Sequence, residues 1–262
     1  METLRDELRV ILDDAGRVAM SYFGRVVAER KADGTPVTEA DRAVEERIVE
    51  QIVRRFPGES VASEEGHVVH GVPGAPVWYV DPIDGTGAFV SQLAYWGPTV
   101  CRVVDGSLES GAFHVPRVAE HWFASVGGGA WRDGRRLWPD RDPTEVERND
   151  VVFVPSRFHR RQPLPWAGKV RALGSSAAHL AHVASGGGLA AFVPKWELWD
   201  VGCGTLLIRE AGRVVWTAEG EVVNPERVTA GLPLLAGAPN ALRTLVDRWA
   251  RAQAATGSAP PR

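Results

Sequence analysis

The segment Asp81-Pro82-Ile83-Asp84-Gly85-Thr86 restricts this 262-residue chain more than any other feature. It is entered through an apolar run, Val77-Trp78-Tyr79-Val80, with the period and β-branched content of a buried strand. Both acids therefore project from the end of a rigid element. Pro82 fixes one torsion between them, and Gly85 permits a tight turn that brings backbone N–H groups round to the same point. Two carboxylates that close repel strongly unless cations lie between them. Hard cations with oxygen ligands, Mg²⁺ above all, are the usual partners, and phosphate oxygens complete their shells. Taken alone the segment is equally an ordinary turn, since Asp, Pro and Gly are common turn residues. The other acids must decide.

The bulk composition sets the frame for that decision. A formal net charge of −3 gives no basic footprint, which argues against nucleic acid or a membrane surface as partner. An anionic substrate would need local help from bound cations. Cys101 and Cys203, far apart and without CxxC spacing, make neither a disulfide framework nor a zinc site. The N-terminal stretch is charged and amphipathic, unlike a signal peptide or a transmembrane span. The expectation is a soluble, cytoplasmic protein.

Along the chain, apolar positions at Leu4, Leu8, Ile11, Ala15, Val18 and Ala19 predict a first helix over 2–24, stopped by Gly24. Thr38 followed by Asp41 reads as a capping box opening a second helix, with Val44, Ile48 and Ile52 inward. From residue 60 to about 125 short β-like runs take over, with hairpin turns at Asp105-Gly106 and Asp133-Gly134. The polar stretch 139–149 is the expected junction between two lobes. Beyond it, strands at 151–155 and 189–194 alternate with helices starting near Ser175 and Asp200, and a last helix covers 239–252. The pattern is α+β, with antiparallel and mixed sheets layered with helices. The expected lobes are 1–140, carrying most of the acids, and 141–254, carrying Asp200. Residues 255–262 form a polar tail expected to be disordered.

Three further acids sit near element boundaries. Glu64 lies in Ser63-Glu64-Glu65, Asp200 follows Trp199 at a helix start, and Asp41 lies in Thr38-Glu39-Ala40-Asp41. Each alone has a bland alternative: an acidic loop, an N-cap, a first-turn acid. Together with Asp81–Thr86 and Gly174-Ser175-Ser176, in this order, they resemble the motifs of the inositol monophosphatase family over about residues 1–235. That resemblance implies a layered αβαβα sandwich, frequently a homodimer, and a metal-dependent phosphoric monoester hydrolase. It further implies that Glu64, Asp81 and the carbonyl of Ile83 hold one Mg²⁺, and that Asp81, Asp84 and Asp200 hold a second. A third, weaker ion would lie near Glu64. Thr86, hydrogen-bonded to Asp41, would orient a metal-activated water, with Glu64 also counted in the catalytic group. Asp84, Gly85, Thr86, Gly174, Ser175, Ser176 and Asp200 would contact substrate. The implied substrate is a small phosphorylated alcohol such as an inositol-1-phosphate-like polyol. Histidinol phosphate and adenosine 3′,5′-bisphosphate are the alternatives within the superfamily. A non-catalytic regulatory binding protein is the alternative from another class.

Two departures from the family pattern bear on specificity. Members usually read DGTTNF where this chain has Asp84-Gly85-Thr86-Gly87-Ala88-Phe89. Inositol-specific members carry a Glu seven residues before the Trp-Asp acid, and the gapless count lands here on Val193, which cannot hydrogen-bond a ring hydroxyl. Lys195 or Glu197 would substitute only with a shifted backbone. Of the remaining features, His67, His70, His179 and His182 are expected to be structural or solvated, and the ten tryptophans to serve core and interface. Arg157, Arg160 and Arg161 are expected to form a solvated basic loop, with a second anionic group on the substrate as the alternative.

Overall fold

The computed structural model describes residues 2–31, 34–158, 165–227 and 232–256. Its helices are α1 (Glu2–Tyr22), α2 (Glu39–Arg55), the short α3 (Thr86–Val90), α4 (Ser176–Ala184), α5 (Leu198–Glu210) and α6 (Pro239–Thr256). Eight strands build the larger sheet: β3 (Ser60–Ser63), β4 (Val68–Val69), β5 (Val77–Asp84), β6 (Gly97–Val104), β7 (Ser107–Val115), β8 (Glu120–Ser125), β9 (Gly129–Arg132) and β10 (Arg135–Arg136). Their order is β10-β9-β8-β7-β6-β5-β3-β4, antiparallel throughout except where β3 runs parallel to β5. The smaller sheet contains β11 (Val151–Phe153), β12 (Lys169–Arg171), β13 (Ala190–Val193), β14 (Val214–Thr217) and β15 (Leu234–Gly237) in the order β12-β11-β13-β15-β14. A two-residue pair, β1 (Glu29–Arg30) with β2 (Pro36–Val37), stands before α2.

Three buried clusters show how these elements stack. Leu8, Ile11 and Ala15 of α1 and Val44, Ile48 and Ile52 of α2 pack on Trp78, Val80 and Val100 of the large sheet. The opposite face of that sheet, with Cys101, Phe113 and Trp122, meets α4 and α5, which also touch Ala191, Val215 and Ala236 of the small sheet. The outer face of the small sheet, through Phe192 and Leu235, is closed by Leu242, Leu245 and Trp249 of α6. The layers run helix, sheet, helix, sheet, helix, which is the αβαβα sandwich.

The local signals in the sequence act as expected. The turns at Asp105-Gly106 and Asp133-Gly134 both carry positive φ at both positions, 49° and 71°, then 49° and 75°, as two-residue hairpins require. Gly24, at φ 73°, follows α1, which ends at Tyr22 rather than at residue 24. The final helix continues through Thr256, past the expected end at 252 and into the first two residues of the expected tail; residues 257–262 lie outside the described residues. The polar stretch 139–149 contains no helix or strand and links the last strand of the large sheet to the first of the small one.

A carboxylate-lined candidate active site

Strand β5 is buried from Val80 to Asp84, and its pairing with β6 slips between Asp81 and Asp84, so the chain leaves the ladder where the acids begin. Asp81 Oδ1 accepts the Ile83 N–H at 2.9 Å, closing a tight Asx-type turn. The chain then reverses at Gly85, φ 92°. A Cβ there would lie 2.9 Å from the Gly174 carbonyl oxygen, and one on Gly174 (φ 95°) would lie 2.9 Å from the Ala88 Cβ. The turn after β5 and the turn before α4 therefore interlock through two glycines.

That contact sets Asp84 against the start of α4. Its carboxylate accepts the Ser175 hydroxyl and the N–H groups of Ala177 (2.7 Å) and Ser176 (3.2 Å). Ser175 is also the N-cap of α4, accepting the Ala178 N–H at 2.9 Å, so the cap and the site contact expected there coexist. Asp41 and Asp200 share one local device. Each is the third residue of its helix and reaches back to the cap residue's N–H at 2.7 Å, Asp41 Oδ2 to Thr38 and Asp200 Oδ2 to Glu197. Asp200 is thus not the N-cap of α5; Glu197 is. One oxygen of Asp41 closes the cap, while Oδ1 accepts the Thr86 hydroxyl at 3.1 Å. The same hydroxyl lies 3.3 Å from the Ile83 carbonyl.

The expected acids converge. Carboxylate oxygens of Glu64, Asp81 and Asp200 lie within 4.8 Å of one another, although they come from the end of β3, the end of β5 and the start of α5. Asp84 stands beside this trio, turned toward α4, and still acts on Asp81 and Asp200 electrostatically. Burial, and then the charges of Glu64, Asp84 and Asp200, push Asp81 well above the usual carboxylate range. Burial raises Asp84 to about 6 against the three hydrogen bonds that favour its charge. Asp200 is raised to about 8 by burial, offset by the Glu197 N–H and reinforced by Asp84 and Glu64. Asp41 is raised by burial and held back by its bonds to Thr38 and Thr86.

A 470 Å³ cavity opens from Asp84 and Gly87 and is lined further by Gly174, Ser175, Ser176 and His179. Its lining also includes Val193, Arg157 and Lys195, and among the described residues Asp84 is the one acid in it. Val193 is thus where the gapless count puts it, and Glu197 is exposed and absent from the lining. Arg160 and Arg161 lie outside the described residues. Gly87 has open space around a Cβ, whereas Ala88 is buried against Gly174.

The sequence reading missed Lys31. Its ammonium lies 2.8 Å from Glu64 and 2.6 Å from Glu65, and these carboxylates outweigh burial and raise its pKa. The available signal was its rarity: of thirty basic residues only Lys31, Lys169 and Lys195 are lysines. His179 and His182 make structural contacts. His179 Nε2 accepts the Leu173 N–H at 2.9 Å, and His182 packs edge-on against Tyr95 and Trp122.

With this geometry in view, comparison with known proteins is decisive. The model of the inositol monophosphatase family matches residues 2–253. The chain belongs to the inositol monophosphatase family. It is 31% identical over 222 residues to a Thermotoga maritima protein named fructose-1,6-bisphosphatase/inositol-1-monophosphatase, covering 82% of this chain and 84% of that one. It is 32% identical over 212 residues to a histidinol-phosphatase of Chlorobaculum parvum, covering 77% and 81%. The solved Thermotoga maritima IMPase superposes with a TM-score of 0.83 at 27% identity, over 95% of this chain and 96% of that one. The protein is therefore a phosphatase, a hydrolase of a metal-dependent family.

Proposed function

We propose that this family member is a Mg²⁺-dependent phosphomonoesterase for a small phosphorylated polyol. The observation that carries the reading is the convergence of Glu64, Asp81 and Asp200 within 4.8 Å, with Asp84 beside them. Asp81 and Asp200, raised by burial and further by the neighbouring carboxylates, are poorly stable as anions without a cation, and an all-oxygen donor set fits Mg²⁺ rather than a thiophilic metal. Glu64, Asp81 and the Ile83 carbonyl would hold one ion, and Asp81, Asp84 and Asp200 a second. The Lys31 ammonium already sits on the Glu64 flank, so a third ion there would have to displace it. When bound, the ions supply positive charge that acidifies the attacking water and neutralises the phosphoryl oxygens.

The chain's own residues do the rest. Thr86 has one hydroxyl proton, and both groups within reach of it, Asp41 Oδ1 and the Ile83 carbonyl, are acceptors. That proton is committed inward, so the hydroxyl's lone pairs face outward to accept a proton from a water and hold it in line with the phosphorus. Asp41 stabilises the charge that builds on Thr86 as this happens. Glu64 would flank the same water from the end of β3. The N–H groups of Gly85 and Thr86, turned round by the positive φ of Gly85, would cradle the phosphate.

The cavity has room for a ring-sized polyol beyond the phosphate, with Gly174, Ser175 and Ser176 along one wall. Arg157 and Lys195 in its lining disfavour a cationic group, which ranks histidinol phosphate below neutral or anionic sugar and polyol phosphates. The same two residues leave adenosine 3′,5′-bisphosphate as a further candidate. Retention of the whole acidic set argues against a purely regulatory role. Phosphate release across inositol, sugar, histidinol and nucleotide phosphates tests the reading. Mg²⁺-dependent turnover is expected on the neutral and anionic substrates, and no release on any of them would sink it. The proposal includes a cytoplasmic homodimer, for which light scattering should return the mass of two chains. Among the described residues no helix is long and apolar enough to cross a membrane.

A further inference from the structure

Away from the carboxylate cavity, α1 and the paired strands β7 and β8 bring together Asp13, His114 and His121, with all three potential ligand atoms within 4.8 Å of one another. His121 Nε2 lies 2.9 Å from Asp13 Oδ1, and His114 Nε2 lies 3.9 Å from the same oxygen. The two imidazoles are stacked, centroids 4.0 Å apart and planes 10° from parallel, so their Nε2 atoms reach Asp13 side by side. His114 is only 6% exposed, and its Nδ1 lies 3.0 Å from the Glu120 carbonyl oxygen. A carbonyl can only accept, so Nδ1 carries the proton and Nε2 turns a bare lone pair toward the carboxylate. Two acceptors that face each other without a shared proton are poorly matched with one another and well matched to a cation.

The surroundings hold this arrangement in place. A Cβ on Gly16 would meet His114 Cδ2 at 2.7 Å and Nε2 at 2.8 Å, so the α1 backbone is pressed against the ring edge. The Glu120 carbonyl on Nδ1 is the outer partner that typically orients a metal-ligating imidazole. Arg9 Nε approaches the other oxygen of Asp13, at 3.8 Å, and leaves Oδ1 to the histidines. A cavity of about 90 Å³, lined by Arg9, Leu12 and His121 among others, opens beside the His121 ring.

We propose that Asp13 Oδ1, His114 Nε2 and His121 Nε2 form a second metal site, for a borderline divalent ion of the Zn²⁺ class, that ties α1 to β7 and β8. The nitrogen-rich donor set suits Zn²⁺, Co²⁺ or Ni²⁺, whereas Mg²⁺ demands oxygen, so the two sites of the molecule would not compete for one ion. Ligands at roughly 2.0–2.2 Å in a tetrahedral shell stand about 3.4 Å apart. The 2.9 Å and 3.9 Å spacings bracket that value, and a small rotation of the part-exposed Asp13 side chain evens them. His121 shifts to Nδ1 the proton that its Nε2 now donates to Asp13.

Co²⁺ is the probe, added to the full-length protein in saturating Mg²⁺ and followed by visible absorption. The expected result is one equivalent per chain with the ligand-field bands of a nitrogen-containing shell, absent from both His121→Gln and Asp13→Asn. Neither residue belongs to the phosphatase site, so both variants keep the Mg²⁺-dependent activity. Asp13 is 38% exposed, so Asp13→Asn folds even where His121→Gln does not. Its melting curve gives a second readout: Zn²⁺ raises the Tm of the wild type and leaves that of the variant unmoved. Bands or a Tm shift that survive in Asp13→Asn, or a wild type that shows neither, overturn the site and leave the trio as a hydrogen-bonded tie between helix and sheet.

Discussion

A single carboxylate can hold a helix together with one oxygen and serve a reaction with the other, and Asp41 does both. Its Oδ2 closes the cap of α2, so Oδ1 is delivered to Thr86 at a fixed angle without side-chain freedom to lose. Thr86→Ala should lower kcat by roughly 10²-fold with little change in KM, because water orientation is felt in the transition state more than in binding. Steady-state kinetics check this, and an unchanged kcat would remove Thr86 from the mechanism. Asp84 is bound more tightly into the fold, through three donors from the start of α4. Asp84→Asn should reduce turnover by two to three orders of magnitude or more, the scale of losing one charge-stabilising group. The metal-free variant should melt no lower than the wild type. Relief of repulsion with Asp81 and Asp200 offsets the Ser176 N–H, which loses an acceptor worth about 1 kcal/mol. A drop of several degrees would mean that capping α4 is the larger part of its role. These acids were legible because each stands where a buried run or a capping pattern ends. Lys31 was not, since its partners Glu64 and Glu65 are reached only across folded loops.

The elements were legible to the same degree as their local chemistry. A capping box, an Asp-Gly turn and helical stripes marked α1, α2 and the β6–β7 hairpin, whereas α5 starts earlier than Asp200 suggests, with its cap at Glu197. The end of α6 was missed because no Gly or Pro stops it before residue 256. The interlock of Gly85 with Gly174 could not be read, because nothing in either loop names the other. It makes a paired prediction. Gly85→Ala places a side chain at φ 92° and 2.9 Å from the Gly174 carbonyl, so it should cost roughly 1–3 kcal/mol and displace Asp84 from α4. Gly87→Ala, two residues on inside α3 and in open space, should be neutral or stabilising by up to about 1 kcal/mol. Chemical denaturation of both variants tests the pair, and equal losses would deny the interlock.

In the whole molecule the middle layer belongs to both sheets. Its cluster joins Phe113 and Trp122 of the large sheet to Ala191 and Ala236 of the small one through α4 and α5. We propose residues 1–140 and 141–254 as two lobes of one cooperative unit, so a fragment of 1–140 should remain unfolded by circular dichroism. His179 and His182 sit within that shared layer. Burial, and then His182, lowers His179 to about 3; burial, and then Arg132, lowers His182 to about 4. An unfolded imidazole titrates near about 6.5. Below that pH the unfolded chain takes up protons that the folded one refuses, so this contribution is complete above about 6.5 and is lost as pH falls toward 4. The slope reaches about 1.4 kcal/mol per pH unit for each ring. The raised acids of the metal-free site titrate with the opposite sign, Asp200 through about 8 and Asp84 through about 6, so wild type alone would show a blunted profile. The difference between wild type and His182→Phe cancels the acids. Phe keeps the edge contacts to Tyr95 and Trp122 but binds no proton. Denaturation free energies of the two proteins should therefore converge or cross as pH drops from 6.5 to 4, the wild type losing stability faster. Parallel curves across that window would mean that His182 titrates in the fold as it does in water, and that the middle layer is wetter than its packing implies.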